Sequence, residues 1–315
     1  MDLTLTTQQQ QIVDSLHSLL QRHAGPDRAK ALLANEAYDH ELDARLEEGG
    51  FLDMILEDET GPVETTLAAM EIARSVGTVG YGARAIVAPK LLGERAAGPV
   101  ALARLPTDFP VRFAADAKLI LIDAGAEAQA LEVAPGDVQP ASNDHLGWPM
   151  GRLKPAALGK AKGLGPGSGA ALRRWWRLAL AAETVGTMQG ALALTLEYVK
   201  NRRQFGRPIG QFQALQHRLA ELTVIVEGAR WLALEAGFRE AAPLAAATAA
   251  GRAAGAASLV ARECHQMHGA IGFTRDYQLH LWSVRLGPLA VELGGAPAHR
   301  RDAARLRFVA QETAA

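Results

Sequence analysis

Residues 202–213 read Arg-Arg-Gln-Phe-Gly-Arg-Pro-Ile-Gly-Gln-Phe-Gln, and they separate two long stretches of helical periodicity. Arg202, Arg203 and Arg207 fall where the first helix should end, and cations there meet the negative end of the helix dipole favourably. Phe205-Gly206 then predicts a turn into the next helix. On these residues alone two interpretations stay open, a structural or solvated helix end and a phosphate-binding site.

The periodicity on both sides of this stretch predicts a four-helix bundle over residues 168–315. The first helix carries apolar residues at helical spacing from Trp175 to Val199, and the third runs from Leu244 to His268. The fourth begins near Leu279. The second has apolar residues at alternating steps of three and four, as in helices packed nearly antiparallel: Phe212, Leu215, Leu219, Leu222, Val226, Ala229 and Ala233.

Residues 1–97 predict an N-terminal helical domain. Thr6 or Thr7 is suited to cap the first helix, and a second amphipathic stretch runs from Asp39 to Gly49. Gly61-Pro62 opens a third. Packing of these helices on a core is a sufficient interpretation for all three.

Residues 98–167 predict a reduced, β-rich middle domain, so the fold class is mainly α with a small β domain. Short apolar runs at 119–122 and 130–133 are typical of buried strands. The glycine-rich stretch 163–169 predicts a flexible connector. The alternative, a phosphate-binding P-loop, lacks the Lys-Ser/Thr pair that this motif requires.

Composition excludes several classes of function. The 315 residues carry a net charge of −1, so no overall field attracts nucleic acid or an anionic membrane. Cys264 is the single cysteine, which fits a reducing cytoplasm. The segment Met1–Thr4 lacks a signal peptide's basic region, and Arg252 interrupts the small-residue stretch 243–261. We therefore expect a cytoplasmic protein without a membrane span.

A second motif, Gln266-Met267-His268-Gly269-Ala270-Ile271-Gly272-Phe273-Thr274, ends the third helix. Together the two motifs resemble the acyl-CoA dehydrogenase family, with its Arg-x-x-Phe-Gly-x-x-Ile…Gln and Gln-x-x-Gly-Gly-x-Gly-Phe/Tyr. Ala270 departs from the pattern, since the family has the second glycine there. The resemblance implies FAD as cofactor and the family fold, in which an N-terminal helical domain and a middle β domain precede a four-helix bundle.

The resemblance also assigns roles to five residues. It implies that Arg202 reaches the FAD pyrophosphate, Phe205 packs near the adenosine and Gln213 contacts the nucleotide. It implies that Gln266 and Gly269 bring the end of the third helix close to the same phosphates. In the family these contacts are made across a subunit interface. Three histidines nearby (His265, His268 and His280) lack an evident third ligand position, and we predict no metal site.

The family's catalytic glutamate is missing from both positions where the family places it. Counted along the chain, these positions fall on Leu293 and Trp176. Glu292 lies one residue away, which on a helix turns the side chain by about 100°. Glu183 lies seven residues after Trp176, and we expect it to be too far along the helix to substitute. We therefore assign no catalytic residue to this chain.

The segment 276–282 resembles that of a bacterial subgroup of short acyl-CoA dehydrogenase subunits, some of which act with longer partners on steroid side chains or other bulky esters. The family's Thr-Glu-x-x-x-Gly-Ser-Asp and Trp-Ile-Thr/Ser motifs, which hold the flavin ring, are not found between 80 and 165. The resemblance thus implies that this chain is one of the two subunit types of an α2β2 enzyme, which catalyses α,β-dehydrogenation of an acyl-CoA thioester. The longer subunit would hold the flavin ring, the substrate and the base, with electron-transfer flavoprotein as acceptor.

Two alternatives remain open at this stage. The first is a self-sufficient homotetramer that uses Glu292 as a displaced base. The second is a non-catalytic structural or regulatory subunit with relic flavin motifs.

Overall fold

The computed structural model describes residues 4–106, 109–142 and 147–312, without the side chains of 309–312. Residues 1–3, on which part of the signal-peptide prediction rests, lie outside this range. Helices, two small sheets and a helical bundle follow one another along the chain, so the predicted fold class, mainly α with a small β region, is confirmed.

The N-terminal helices begin where the sequence predicts. Thr6 Oγ1 accepts a hydrogen bond from the Gln9 N–H, and the Gln9 side chain accepts one from the Thr6 N–H, which forms a capping box. Asp39 caps the third helix by accepting from the Leu42 N–H. The sequence patterns missed the second helix and the π-helical segment. The elements are α1 (Thr7–His23), α2 (Pro26–Ala34), α3 (His40–Glu48), α4 (Pro62–Arg74), a π-helical segment (Gly82–Val87) and α5 (Ala88–Leu92).

Two small sheets follow. The first has the strand order β1-β3-β4-β7, with β1 parallel to β3 and the other neighbours antiparallel. The second is antiparallel with the order β2-β6-β5. The elements are β1 (Val100–Arg104), β2 (Val111–Arg112), β3 (Leu119–Asp123), β4 (Glu127–Glu132), β5 (Val138–Ala141), β6 (Met150–Leu153), α6 (Pro155–Leu158) and β7 (Lys162–Pro166).

The sheets confirm one sequence prediction and correct another. The run at 119–122 is a strand buried on both faces, because Ile120 and Ile122 pack in a small β-sheet core while Leu121 packs in the main core. The prediction of a flexible connector over 163–169 is wrong. Residues 162–166 form β7 on the edge of β4, because glycines lack side chains but keep the backbone groups that a ladder pairs.

The C-terminal part is the predicted bundle. The second helix buries its predicted seam at Leu219, Leu222, Val226, Ala229 and Ala233. The fourth helix is broken at Leu293, where φ is 55°. The elements are α7 (Ser168–Asn201), a hairpin of β8 (Arg203–Gln204) and β9 (Arg207–Pro208), α8 (Gln213–Phe238), α9 (Pro243–His268), α10 (His280–Val291) and α11 (Gly295–Glu312).

Two glycines bring the N-terminal helices against the bundle. A Cβ atom at Gly186 would lie 2.1 Å from the Met70 carbonyl oxygen, and one at Gly190 would lie 2.6 Å from that of Arg74. Trp282 fills the adjacent space and donates its indole N–H to the same Arg74 oxygen at 2.9 Å. The main core therefore runs without interruption from α4 into α7 and α10.

By length and composition, the helical stretch Pro243–Phe273 is apolar enough to cross a membrane. In the fold, α9 packs against α7, α8 and α11, and many of its buried residues are alanines. This is the environment of a core helix in a soluble protein.

Candidate functional site

The first motif folds as a β-hairpin, with Arg203 paired to Pro208 and Gln204 to Arg207. Its two-residue loop has φ of 53° at Phe205 and 80° at Gly206, the positive values that a type I′ turn requires. A non-glycine residue in this conformation costs about 1–2 kcal/mol, yet Phe205 is 90% exposed and gains little from burial. An exposed aromatic ring on a strained backbone is typical of a functional position.

The three arginines of this motif differ in their surroundings. Arg207 stacks on Phe212, with its guanidinium carbon 4.2 Å from the ring centroid. Arg203 donates to the Gly206 carbonyl oxygen at 3.3 Å. Arg202 caps α7 through its backbone, but its exposed guanidinium forms no hydrogen bond or ion pair with any residue in the described ranges. All three are exposed, and Arg202 is the one whose guanidinium makes no hydrogen bond, ion pair or ring contact within the described ranges.

The second motif forms the end of α9 and the turn after it. Gly269 has φ of 65° and ψ of −146°, a backbone conformation that suits glycine. A Cβ atom there would meet nothing within 4 Å, so the backbone faces open space. Gln266 and Ala270 are exposed, and Phe273 is 76% exposed. The methyl group of Ala270 thus crowds no part of this chain.

An aromatic cluster of Tyr198, His268 and Tyr277 joins the two motifs. The Tyr198 ring stacks on His268 with centroids 4.4 Å apart, and its hydroxyl donates to the His268 carbonyl oxygen at 3.3 Å. Tyr277 packs on the other two rings. Tyr198 lies one helical turn before Arg202, and His268 directly precedes Gly269. The structure thus brings both motifs to one end of the bundle.

Sequence reasoning missed the two tyrosines. The signal for Tyr198 was its spacing of four residues from Arg202, which puts both on one helix face. Burial lowers the pKa of His268, and its Nδ1 lies 2.8 Å from the Cys264 carbonyl oxygen, so a neutral ring donates there. Across the described ranges no group of three or more His, Cys, Asp or Glu side chains is placed to hold a metal ion.

These exposed groups fit the nucleotide end of FAD. A guanidinium without an internal partner suits a pyrophosphate, since it is planar and always charged. The open backbone at Gly269 lets phosphate oxygens approach closely. Gln213 and Gln266 add exposed amides on adjoining helices, and Phe205 offers an aromatic surface. All of them face outward, as contacts to a ligand held partly by another subunit require.

A cavity of about 870 Å³ lies near the other end of α7, between β1, β2 and the α10–α11 break. Its lining is mainly apolar, and it contains no Ser, Thr, Asn or Gln among the described residues. The side chains that can donate or accept hydrogen bonds are Arg104, Arg112, Trp176, Glu183 and Glu292. In size it falls within the roughly 300–1,000 Å³ that is usual for small-molecule sites.

Arg112 holds both carboxylates of this cavity. It lies 3.0 Å from Glu183 Oε2 through Nη2 and 3.0 Å from Glu292 Oε2 through Nε. Trp176 donates its indole N–H to Glu292 Oε1 at 2.5 Å. Arg112 Nη2 also donates to Glu292 Oε1, at 3.2 Å. The Glu292 carboxylate is therefore held in place by Trp176 and Arg112.

Burial shapes the charges of this cluster. Burial raises the pKa of Glu183 although Arg112 opposes the rise. Burial also disfavours the charge on Arg112, but the two carboxylates outweigh it and raise the Arg112 pKa. Arg285 lies behind them, and burial together with the charge of Arg112 lowers its pKa to about 9. The result is an ion cluster in which one arginine pairs with two carboxylates, although Glu183 Oε2 accepts no hydrogen bond from the described residues.

The structure brings the two predicted base positions together. Trp176 and Leu293 both line the cavity, and the break at Leu293 turns Glu292 into it. Glu183 lines it too, because seven residues make two helical turns and return to the same face; the distance along the axis is about 10 Å. Glu183 thus shares the cavity with Trp176 and pairs with Arg112, and the expectation that it lies too far along the helix to substitute stays a prediction.

The cavity and the exposed motifs are far apart. Arg202 is 26 positions from Trp176 along α7 and 19 from Glu183, the α7 residue of the lining that lies nearest to it. At about 1.5 Å per residue, the separation is roughly 29 to 39 Å. The exposed motifs therefore form no part of the cavity of the same chain.

Comparison with known proteins gives consistent matches. The family "Acyl-CoA dehydrogenase, C-terminal domain" matches residues 173–304. Acyl-CoA dehydrogenase IpdE2 of Mycobacterium tuberculosis is 32% identical over 307 residues, covering 90% of this chain and 92% of that protein.

Two solved structures share the fold at 23% sequence identity. The ChsE4-ChsE5 complex from Mycobacterium tuberculosis gives a TM-score of 0.80, covering 98% of this chain and 99% of the matched chain. A variant of the Tcur3481-Tcur3483 steroid ACAD gives 0.82, covering 99% and 100%.

Proposed function

Because the chain belongs to the acyl-CoA dehydrogenase family, we propose that it is a subunit of an FAD-dependent acyl-CoA dehydrogenase that is incomplete by itself. It acts with a longer family member in an α2β2 assembly in the cytoplasm. The observation that carries this proposal is the separation of about 29 to 39 Å along α7 between Arg202 and the cavity that Glu183 and Trp176 line.

The separation supports contacts in trans. Arg202, Phe205, Gln213, Gln266 and Gly269 would hold the nucleotide end of an FAD whose ring lies in the neighbouring subunit. We call these five residues the half-site. Tyr198 and His268 act as positioning residues, because their stacked rings fix the ends of α7 and α9 relative to each other.

The chemistry supports a longer catalytic partner. When bound, FAD accepts the hydride that leaves the β-carbon of an acyl-CoA thioester. Removal of the α-proton needs a base whose carboxylate is free to reach the α-carbon in a dry pocket. In this chain Glu292 is held by Trp176 and Arg112, and Glu183 by Arg112. The partner would therefore supply the base, the flavin-ring pocket and the acyl-CoA site, with electron-transfer flavoprotein as acceptor.

For the substrate we propose a bulky acyl-CoA ester, such as one with a steroid side chain. The resemblance of residues 276–282 to a subgroup that includes enzymes for steroid side chains supports this choice. Product analysis with straight-chain and steroid CoA esters tests it, and activity confined to straight chains would rule it out.

The test of the half-site is Arg202→Ala in the assembled complex. Loss of a charge-assisted contact of about 1.5–3 kcal/mol should raise the FAD dissociation constant by roughly ten- to a hundredfold. Arg239→Ala is the matched control, since Arg239 is exposed and follows α8, whose end lies beside the start of α7. Equal FAD retention in both variants would contradict the half-site and favour relic motifs.

A further inference from the structure

Four large apolar side chains are exposed at the end of the bundle that lies opposite the half-site. Phe238 ends α8 and is 72% exposed, and Phe308 near the end of α11 is 63% exposed. Leu244, at the start of α9, and Leu306, on α11, are 40% and 38% exposed. Soluble monomers rarely gather such side chains in one place, and phenylalanine is enriched in protein–protein contacts. This end of the bundle therefore has the composition of a contact surface.

The packing of α11 on α9 brings these side chains to the same end. A Cβ atom at Gly251 would lie 3.3 Å from His299 Cβ. One at Gly255 would lie 3.7 Å from Ala296 Cβ. Since the later position on α9 meets the earlier position on α11, the two helices are antiparallel, and the last turns of α11 reach the start of α9. The α8–α9 turn, residues 239–242, begins directly after Phe238, so this residue lies at the same end as well.

An acidic loop before α4 also lies at this end. A Cβ atom at Gly237, in the last turn of α8, would lie 3.1 Å from the Pro62 carbonyl oxygen, so the start of α4 packs on the end of α8. Glu57, Asp58 and Glu59 precede this contact by three to five residues and are exposed. Within the described ranges, none of their carboxylates forms an ion pair or a hydrogen bond. Three negative charges are thus unpaired beside the end of α8.

The end of α11 carries the opposite charge. Four of its arginines are exposed and form no ion pair or hydrogen bond with the rest of the described chain: Arg300, Arg301, Arg305 and Arg307. Arg301, Arg305 and Phe308 follow one another at steps of four and three, so they share one helix face. Aromatic side chains and arginines are the residues that contribute most to the centres of protein interfaces.

A protein surface fits this helix better than a membrane does. Leu306 and Phe308 are two positions apart, which on an α-helix is about 200° of rotation. They therefore do not form the continuous apolar face that a helix needs to lie in a lipid interface. The exposed arginines require an acidic occupant, and the phenylalanine requires one with apolar groups beside the acidic ones.

The chain itself carries such a surface. Residues 1–97 contain 16 acidic and 8 basic residues, a net charge of −8. Residues 168–315 contain 11 acidic and 18 basic residues, a net charge of +7. The overall charge of −1 conceals this separation. Two copies in opposite orientations can therefore face each other with complementary charges.

We propose that this end of the bundle binds a second copy of the chain. A twofold axis beside the α8–α9 turn places the acidic loop of each copy against the α11 arginines of the other, with Phe238 and Leu244 between the two charged regions. Such an interface is self-complementary, since each copy supplies both kinds of charge. Arg174 at the start of α7 donates to the Glu240 carbonyl oxygen at 3.2 Å, whereas Arg202 follows the other end of that helix. The contact is therefore separate from the half-site and does not rest on the proposed function.

Sedimentation velocity of the full chain tests the contact by reversing charges. The variant Arg305→Glu/Arg307→Glu places acidic groups against the acidic loop, and Glu57→Arg/Asp58→Arg places basic groups against the α11 arginines. The wild type should be dimeric at roughly 50 μM chain, and each variant alone should dimerise at least about tenfold more weakly. An equimolar mixture of the two variants should dimerise as the wild type does, because both contacts then pair opposite charges again.

Recovery in the mixture also shows that both variants are folded. The matched control, Arg262→Glu, reverses an exposed arginine near the other end of α9 and should dimerise like the wild type. The proposal is overturned if the wild type sediments as a monomer, if either reversed variant dimerises as tightly as the wild type, or if the mixture does not recover. A monomeric wild type that binds polyglutamate through Arg305 and Arg307 would also overturn it, and would assign the surface to a different acidic partner.

Discussion

The two ends of α7 carry sites of opposite character. At the C-terminal end, Arg202 and Phe205 are exposed, and the Arg202 guanidinium has no partner within the described chain. Near the N-terminal end, Arg112, Glu183 and Glu292 are largely buried and paired with one another. The first set of side chains is accessible to a ligand from outside the chain, whereas the second set finds its charge partners within it.

The same contrast fits the proposed division of the family chemistry between two subunits. A base must be free to reach its substrate, and Glu292 is held by Trp176 and Arg112. A nucleotide-binding surface must be accessible before its ligand binds, and the backbone at Gly269 faces open space. The geometry is thus that of an accessible binding surface at the C-terminal end of α7 and of a structural ion cluster near its N-terminal end.

The largest effect is expected from Arg112→Met. This change leaves Glu183 and Glu292 buried without their cation, and breaking a buried pair in this way costs about 3–5 kcal/mol. Denaturant unfolding of the full chain should show a loss of this size in the free energy of unfolding. A loss below about 1 kcal/mol would mean that water reaches these ion pairs or that they are weaker than their distances indicate.

The free energy of unfolding of the Glu183→Gln variant, measured as a function of pH, provides the control for this cluster. Burial raises the native pKa of Glu183 above its ordinary value of 4.5, so the native state binds that proton more tightly than the unfolded chain does. The resulting stabilisation is fully present below pH 4.5 and is lost as the pH rises through the raised pKa. Unfolding free energy of the wild type should therefore fall relative to Glu183→Gln over that range, and a rise would contradict the assignment.

A smaller effect separates stability from function at the hairpin. Phe205→Asn should stabilise the chain by up to about 1 kcal/mol, because asparagine tolerates positive φ better than phenylalanine does. The same change should weaken FAD retention in the complex, since the aromatic surface is lost. Phe205→Tyr keeps both ring and strain and is the control. A Phe205→Asn variant that is more stable and retains FAD fully would make Phe205 a structural residue only.

The smallest effect is expected from Glu292→Gln in the complex, where turnover should change by less than about twofold. Glutamine keeps the size of the side chain, and an amide oxygen still accepts from Trp176. If the chain were a self-sufficient homotetramer with Glu292 as base, this variant would lose turnover while flavin stayed bound. Steady-state kinetics and flavin absorbance on one sample distinguish the two results.

Much of the fold could be predicted from the sequence because local signals agreed with the final packing. The capping box at Thr6 and the seam of α8 are examples. The π-helical segment at 82–87 was missed, since its residues are buried all round and show no amphipathic period. The strand at 162–166 was missed because its pairing lies in the backbone, and glycine gives no side-chain signal for it.

The candidate site was predictable to a similar extent. The motif residues could be found by resemblance, and their assigned roles remain a prediction. The contact between Trp176 and Glu292 could not be predicted from the sequence. It depends on the helix break at Leu293, and it connects positions 116 residues apart. The role of Arg112 was also invisible, because a single arginine on a short strand carries no pattern until the fold places two carboxylates beside it.

In the proposed assembly, this chain shares one flavin with a longer subunit. FAD content and acyl-CoA oxidation of the chain purified alone, compared with those of the chain purified together with its longer partner, test this sharing. We expect less than about one-tenth of an equivalent of FAD and no turnover for the lone chain, with stoichiometric FAD and turnover for the complex. A lone chain that holds one equivalent of FAD and oxidises an acyl-CoA ester would contradict it.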